Sequence, residues 1–153
     1  EQLDQEDKDL ARHSLFVGLA MDESREKFNR GDFLIRNIMG GDQEQGAIAV
    51  GEMLEPGQTI QFQLRDRKAS TDDLQELLKK MSRTESSKKE GALLISCCGR
   101  GKNLFVESDH DVNLIQSIRG PLPLTGFFAN GEFGPINHKN YIHGYTSSLT
   151  VFS

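Results

Sequence analysis

Apolar and polar positions alternate along this chain in blocks that read as separate elements. Residues 1–13, EQLDQEDKDLARH, are polar with Leu3 and Leu10 one heptad apart, the pattern of a short amphipathic helix or an acidic tail. Ser14 to Met21, SLFVGLAM, is a brief apolar run that reads as a buried strand. The charged stretch at 22–32 is a surface connection or a partner-facing lid. Next, Phe33 and Ile35 fall on one side of a strand, with Leu34, Arg36 and Ile38 on the other. GGDQEQG then turns the chain into Ala47–Val50, which predicts a β-hairpin over 33–50. After a Pro-Gly turn at 55–58, Ile60, Phe62 and Leu64 alternate with Gln61 and Gln63, predicting a strand over 59–64 with one wet face.

The period then changes. Leu74, Leu77, Leu78 and Met81 recur at helical spacing, and Ser70 with Asp73 resembles a capping box, so a helix is predicted over 71–81. SRTESSKKE at 82–90 reads as an exposed loop. Ala92–Cys97, ALLISC, has the continuous apolar character of a central strand with both faces covered. A second helix over 109–118 follows from Val112, Leu114, Ile115 and Ile118, with Ser108 and Asp111 as its capping pattern. The last third, Leu124 to Phe152, reads as two β-rich runs joined hairpin-fashion around a glycine-bounded polar turn at Asn130, Gly131 and Glu132. The fold class is therefore α+β, a mixed or mainly antiparallel sheet of about six strands with two covering helices.

Composition narrows the partners. A chain of 153 residues suits one domain, here 14–153 behind the 1–13 segment. A net charge of −5 opposes nucleic acid and anionic lipid, and no apolar run approaches the roughly 20 residues of a membrane span. The two cysteines are adjacent, Cys97 and Cys98, which disfavours a bridge between them and points to a reducing compartment, cytoplasmic or otherwise intracellular. The charged first residues carry no signal peptide, and a start at Glu1 instead of Met fits a processed or truncated chain.

Candidate chemistry is sparse. Arg36, among apolar neighbours, needs carboxylate or carbonyl partners, either as a structural ion pair or as a clamp for an anionic ligand. Gly99 and Gly101 flank Arg100 at a strand end, where backbone N–H groups and a guanidinium fork suit an anion. Walker, zinc and G-x-S-x-G spacings are absent. The DHD cluster at 109–111 complements a helix dipole or holds a metal. Cys97, His143 and Glu132 supply the residue types of a thiol nucleophile, a base and its orienter; a small buried thiol is the competing reading of Cys97.

Three segments carry a family resemblance: PLTGFFANGEFGPINHKNYIHGYTSSLTVF, LLISCCGRG, and GDFLIRNIMGGDQEQGAIAVGE with GQTIQFQLRD. Together they cover roughly residues 15–152 and resemble the FIST C domain, the C-terminal half of the FIST sensory module of bacterial signalling and F-box proteins. The resemblance implies a non-catalytic small-molecule-sensing domain paired with an N-terminal FIST half. Its ligands would be small molecules such as amino acids, and some members are described as haem sensors, for which His143 would be the first axial candidate. Carried over by position, Arg36, Cys97, Arg100, Asn130, Glu132 and His143 form the ligand-binding set. INHKN at 136–140 departs from the glycine pair usual there, which alters loop geometry and ligand choice. The alternative functions are a substrate-recruiting protein-interaction module, acting through the 22–32 segment or the face that docks the missing half, and a thiol enzyme using Cys97.

Overall fold

The structure, a computed structural model, describes residues 3–81, 90–136 and 138–152. It is an α+β fold whose contacts gather into two compact units, one ending at Asp66 and one beginning at Arg67.

In the first unit, α1 (Gln5–Ser14) turns the leading polar segment into a helix. The Asp4 carboxylate accepts the Asp7 N–H at 2.8 Å, and acidic residues in the first turn oppose Arg12 and His13 in the last, as the helix dipole favours. Strands β1 (Leu15–Ala20), β2 (Phe33–Asp42), β3 (Ala47–Val50) and β4 (Ile60–Leu64) form an antiparallel sheet in the order β3-β2-β1-β4. The 33–50 hairpin is present, and Phe16, Val17 and Leu19 of the central strand are buried. The 22–32 connection is tied down: Arg25 bridges Asp22 and Asp32 at 3.3 and 2.7 Å, and Glu23 accepts from the Thr59 N–H and hydroxyl at 2.9 and 2.6 Å. On β4, Ile60 and Phe62 of the alternating apolar face are exposed and only Leu64 is partly buried, so the dry face implied by the alternation is open.

In the second unit, β5 (Gly91–Cys97) lies between β6 (Leu124–Ala129), to which it is parallel, and β9 (Ser147–Phe152), to which it is antiparallel. Helices α2 (Arg67–Lys80) and α3 (His110–Arg119) cover one face, where Leu74, Leu78, Ala92, Leu94, Ile115 and Leu122 make the core. Strands β7 (Glu132–Ile136) and β8 (Lys139–His143) form a separate hairpin.

Four expectations change here. Among the described residues the strands fall into three sheets instead of one. Helix α2 begins at Arg67, so Ser70 sits inside it and does not cap it. Only one face of β5 is fully covered, since Leu93 and Ile95 are only partly buried between the buried Ala92, Leu94 and Ser96. The two runs of the last third do not pair with each other, because β5 stands between β6 and β9 and the real hairpin, β7–β8, lies between them in sequence. Apart from Glu90, which pairs with Arg119 at 3.0 Å, the loop expected at 82–90 lies outside the described residues.

Candidate functional site

The end of β5 meets the β7–β8 hairpin and the start of β9. Glu132 and His143 are directly cross-strand on β7 and β8, which puts their side chains on one face of that hairpin. The Cys97 N–H donates to the Thr146 carbonyl at 2.9 Å and the Cys98 N–H to the Ala129 carbonyl at 2.9 Å, fixing where β5 stops. Between them opens a cavity of ≈ 460 Å³ lined by Cys97, Glu132, His143, Thr146, Ser148 and apolar neighbours including Pro135.

Each polar group has a defined local partner. The Glu132 carboxylate accepts the Thr146 N–H at 3.0 Å and, by a short contact, the Thr146 hydroxyl. His143 Nε2 donates to the Gly134 carbonyl at 3.0 Å. Burial, aided by the thiol's hydrogen bond to Glu132, pushes the Cys97 thiol above its ordinary value, against the opposing pull of the Gly99 and Tyr145 N–H groups. A thiol held protonated is a poor nucleophile at neutral pH, so the arrangement argues against the thiol-enzyme reading. In the native chain, iodoacetamide is therefore expected to modify the exposed Cys98 readily and the buried, protonated Cys97 far more slowly. Peptide mass spectrometry decides this, and rapid native modification of Cys97 would restore the nucleophile.

Arg100 is elsewhere. It is 6% exposed, and its fork grips Asp111 of α3, with Nε to Oδ2 at 2.7 Å and Nη2 to Oδ1 at 2.8 Å. Its guanidinium carbon lies 5.3 Å from the centre of the Phe105 ring. The anion fork expected of the G-R-G turn is instead half of a buried ion pair. Asp111 also accepts from Ser96 Oγ at 3.4 Å and His110 Nδ1 at 3.1 Å, while His110 stacks on Phe105 and meets the Thr71 hydroxyl of α2 at 3.0 Å. Burial alone would raise the Asp111 carboxyl, but the hydrogen bonds and charge of Arg100, then those of His110, outweigh it and hold the group below the usual range. The capping pattern expected of Ser108 with Asp111 is not used: the cap position is Asp109, in left-handed geometry at φ 59° with no side-chain cap bond.

Of the six residues singled out from sequence, Cys97, Glu132 and His143 converge. Asn130 sits in the β6–β7 turn and does not line the cavity. Arg36 belongs to the first unit, where Nε and Nη2 both reach Glu52 Oε2 at 3.0 Å. Thr146, just before β9, and Ser148, within it, were not among the residues singled out, since a Thr or Ser beside or in a strand carries no signal until the strand's neighbours are known. His143, the first axial candidate for haem, has its Nε2 on the Gly134 carbonyl at 3.0 Å. Among the described residues no group of three or more metal-ligating side chains occurs, and no helix is long and apolar enough to cross a membrane.

The model of the FIST C domain family matches residues 1–135. Among curated proteins, the chain is 40% identical over 147 residues to the uncharacterized protein Rv0628c of Mycobacterium tuberculosis strain H37Rv, covering 96% of this chain and 38% of that one. It is 38% identical over 152 residues to the uncharacterized protein Mb0898c of Mycobacterium bovis, covering 99% and 39%. The chain thus spans less than two-fifths of the length of these relatives, at 38% and 39%. No solved structure matches it.

Proposed function

The chain belongs to the FIST C domain family, a family of signalling and sensory type, and on that premise we propose that it is a non-catalytic sensor of a small amine-bearing molecule. The observation that carries this reading is the convergence of Cys97, Glu132 and His143 on one cavity whose lining holds a carboxylate and neither Lys nor Arg. Its ≈ 460 Å³ lies in the range of small-metabolite sites. A half-buried carboxylate with no Lys or Arg in the lining favours a positively charged ligand group, and the ammonium of an amino acid supplies one. With Arg100 committed to Asp111, an isolated carboxylic acid finds no counter-ion here. The Thr146 and Ser148 hydroxyls and His143 orient the ligand, while Ile95 and Pro135 take its apolar part. The greater length of the relatives leaves room for an N-terminal FIST half as the partner that completes the receptor.

Thermal-shift titration of the whole chain tests this with free amino acids, the amines obtained by decarboxylating them, and the acids that lack the amino group. Amino acids and amines should stabilise saturably, by about 2.7 kcal/mol at roughly 100 times Kd, or roughly 5–10 °C in Tm. The acids should do nothing, and Glu132→Gln should abolish the shift. Stabilisation by the acids alone, or by no compound, would end the reading.

A further inference from the structure

We propose that the outer edge of β6 accepts an extended peptide as an added strand, with one apolar side chain seated beside α3 and one basic side chain at Asp109. A second cavity, ≈ 310 Å³, is lined by five successive residues of β6, Leu124 to Phe128, by Asp109 at the cap of α3 with His110 to Val112 of its first turn, and by Phe105. A strand face contributes every second residue to a wall, so an unbroken run of five means that the cavity follows the strand's edge. That edge is open. Among the described residues β6 pairs with β5 alone.

Parity tells which backbone groups are left over. The carbonyls of Pro123 and Ala129 accept from Ala92 and Cys98 of the β5 side, so the odd-numbered residues face β5. The N–H and C=O groups of Leu124, Gly126 and Phe128 therefore point outward. LTGFFA contains neither charge nor proline, the usual guards of an open edge, and Phe127 and Phe128 are 59% and 61% exposed. A groove between an edge strand and a helix is a recurrent geometry for strand addition, with main-chain bonds for affinity and pockets for alternate side chains.

Charge selects the occupant. Asp111 at the base of the groove is neutralised by Arg100, and both ring nitrogens of His110 are engaged. The Asp109 carboxylate is exposed and has no partner among the described residues, and the lining holds neither Lys nor Arg. A basic side chain on the incoming strand complements it. Symmetric pairing of β6 with the β6 of a second copy supplies none, since β6 itself is uncharged, and nucleic acid is opposed by the net charge of −5.

The test uses the whole chain and a pooled set of short synthetic peptides in which lysine alternates with valine, leucine or phenylalanine. Two controls accompany it: the same set with glutamate for lysine, and the same set N-methylated at alternate backbone amides. Saturable binding of the lysine peptides should slow hydrogen exchange at the Leu124, Gly126 and Phe128 amides by about tenfold or more. The glutamate and N-methylated sets should bind about tenfold more weakly, and Asp109→Asn should narrow the lysine–glutamate difference. The proposal is overturned if no peptide binds, if N-methylation has no effect, or if the protected amides lie elsewhere. It is equally overturned if those three amides become protected with rising protein concentration and no peptide, which would make a second copy the occupant.

Discussion

Asp111→Ala should destabilise the chain by about 3–5 kcal/mol, because it leaves the Arg100 guanidinium buried without its counter-charge. That is a large part of the roughly 5–15 kcal/mol that holds a domain folded. Arg100→Ala should cost a similar amount by orphaning the carboxylate, and the two losses should not add, since both remove one interaction. Replacing the pair together, Arg100→Met with Asp111→Leu, should recover much of the loss, because apolar side chains carry no desolvation penalty. Urea midpoints at fixed m-value measure all four proteins, and a single variant within about 0.5 kcal/mol of the parent would show that the pair is not structural.

The same pair sets a pH dependence. The folded Asp111 carboxyl lies below its ordinary value of 3.8, so the unfolded chain binds its proton first. The stabilisation is therefore fully present above that ordinary value and is lost as pH falls below it and through the folded value. Asp111→Asn should remove this acid-limb component of the stability profile. The consequence reaches the cavity as well. The Arg100 N–H donates to the Cys97 carbonyl at 2.9 Å, and Nη1 faces the Tyr145 carbonyl at 3.5 Å, so the ion pair anchors the turn that follows Cys97 and braces the segment that brings in Thr146. Variants of the pair should weaken ligand-induced stabilisation even where the chain remains folded.

Gly126→Ala is expected to be at least as damaging. A Cβ at this position would stand 1.9 Å from the Leu94 carbonyl oxygen and 2.8 Å from its carbon, backbone atoms that cannot swing aside as a side chain can. The parallel pairing of β5 and β6 must open or shift to admit it, and Leu94 is part of the core beneath the helices. The cost should exceed the ~1–3 kcal/mol of an ordinary overpacked site. Thr125→Ala, one residue away on the same strand, should be mild by comparison. Chemical denaturation and hydrogen exchange at the Cys98 amide, which bonds across to Ala129, report the outcome. A Gly126→Ala protein as stable as Thr125→Ala would mean that the two strands do not approach as closely as described.

Much of the architecture was legible along the chain because it depends on neighbours in sequence. The 33–50 hairpin follows from alternation and a glycine-rich turn, α1 from Leu3 and Leu10 one heptad apart in a polar segment, and the core face of α2 from Leu74 and Leu78. Its start was misread because Ser70 and Asp73 satisfy a capping pattern that the helix, already under way from Arg67, does not use. The final third failed for a different reason. Periodicity tells which face of a strand is apolar but not which strand lies beside it, and β5 came between the two runs that the turn residues link in sequence.

The amino-acid sequence by itself determined the α+β class, most of the strands and helices, and the family, since these rest on short-range periodicity, turn chemistry and ordered motifs. Only the tertiary structure decided what the charged side chains do. Arg100 was sorted from the ligand candidates by a carboxylate on another element, Arg36 by Glu52, and Cys97, Glu132 and His143 were gathered by strand register. The physical reason is that a buried charge is satisfied by whichever partner the folded backbone brings within about 3 Å, and proximity of that kind is not written in spacing along the chain.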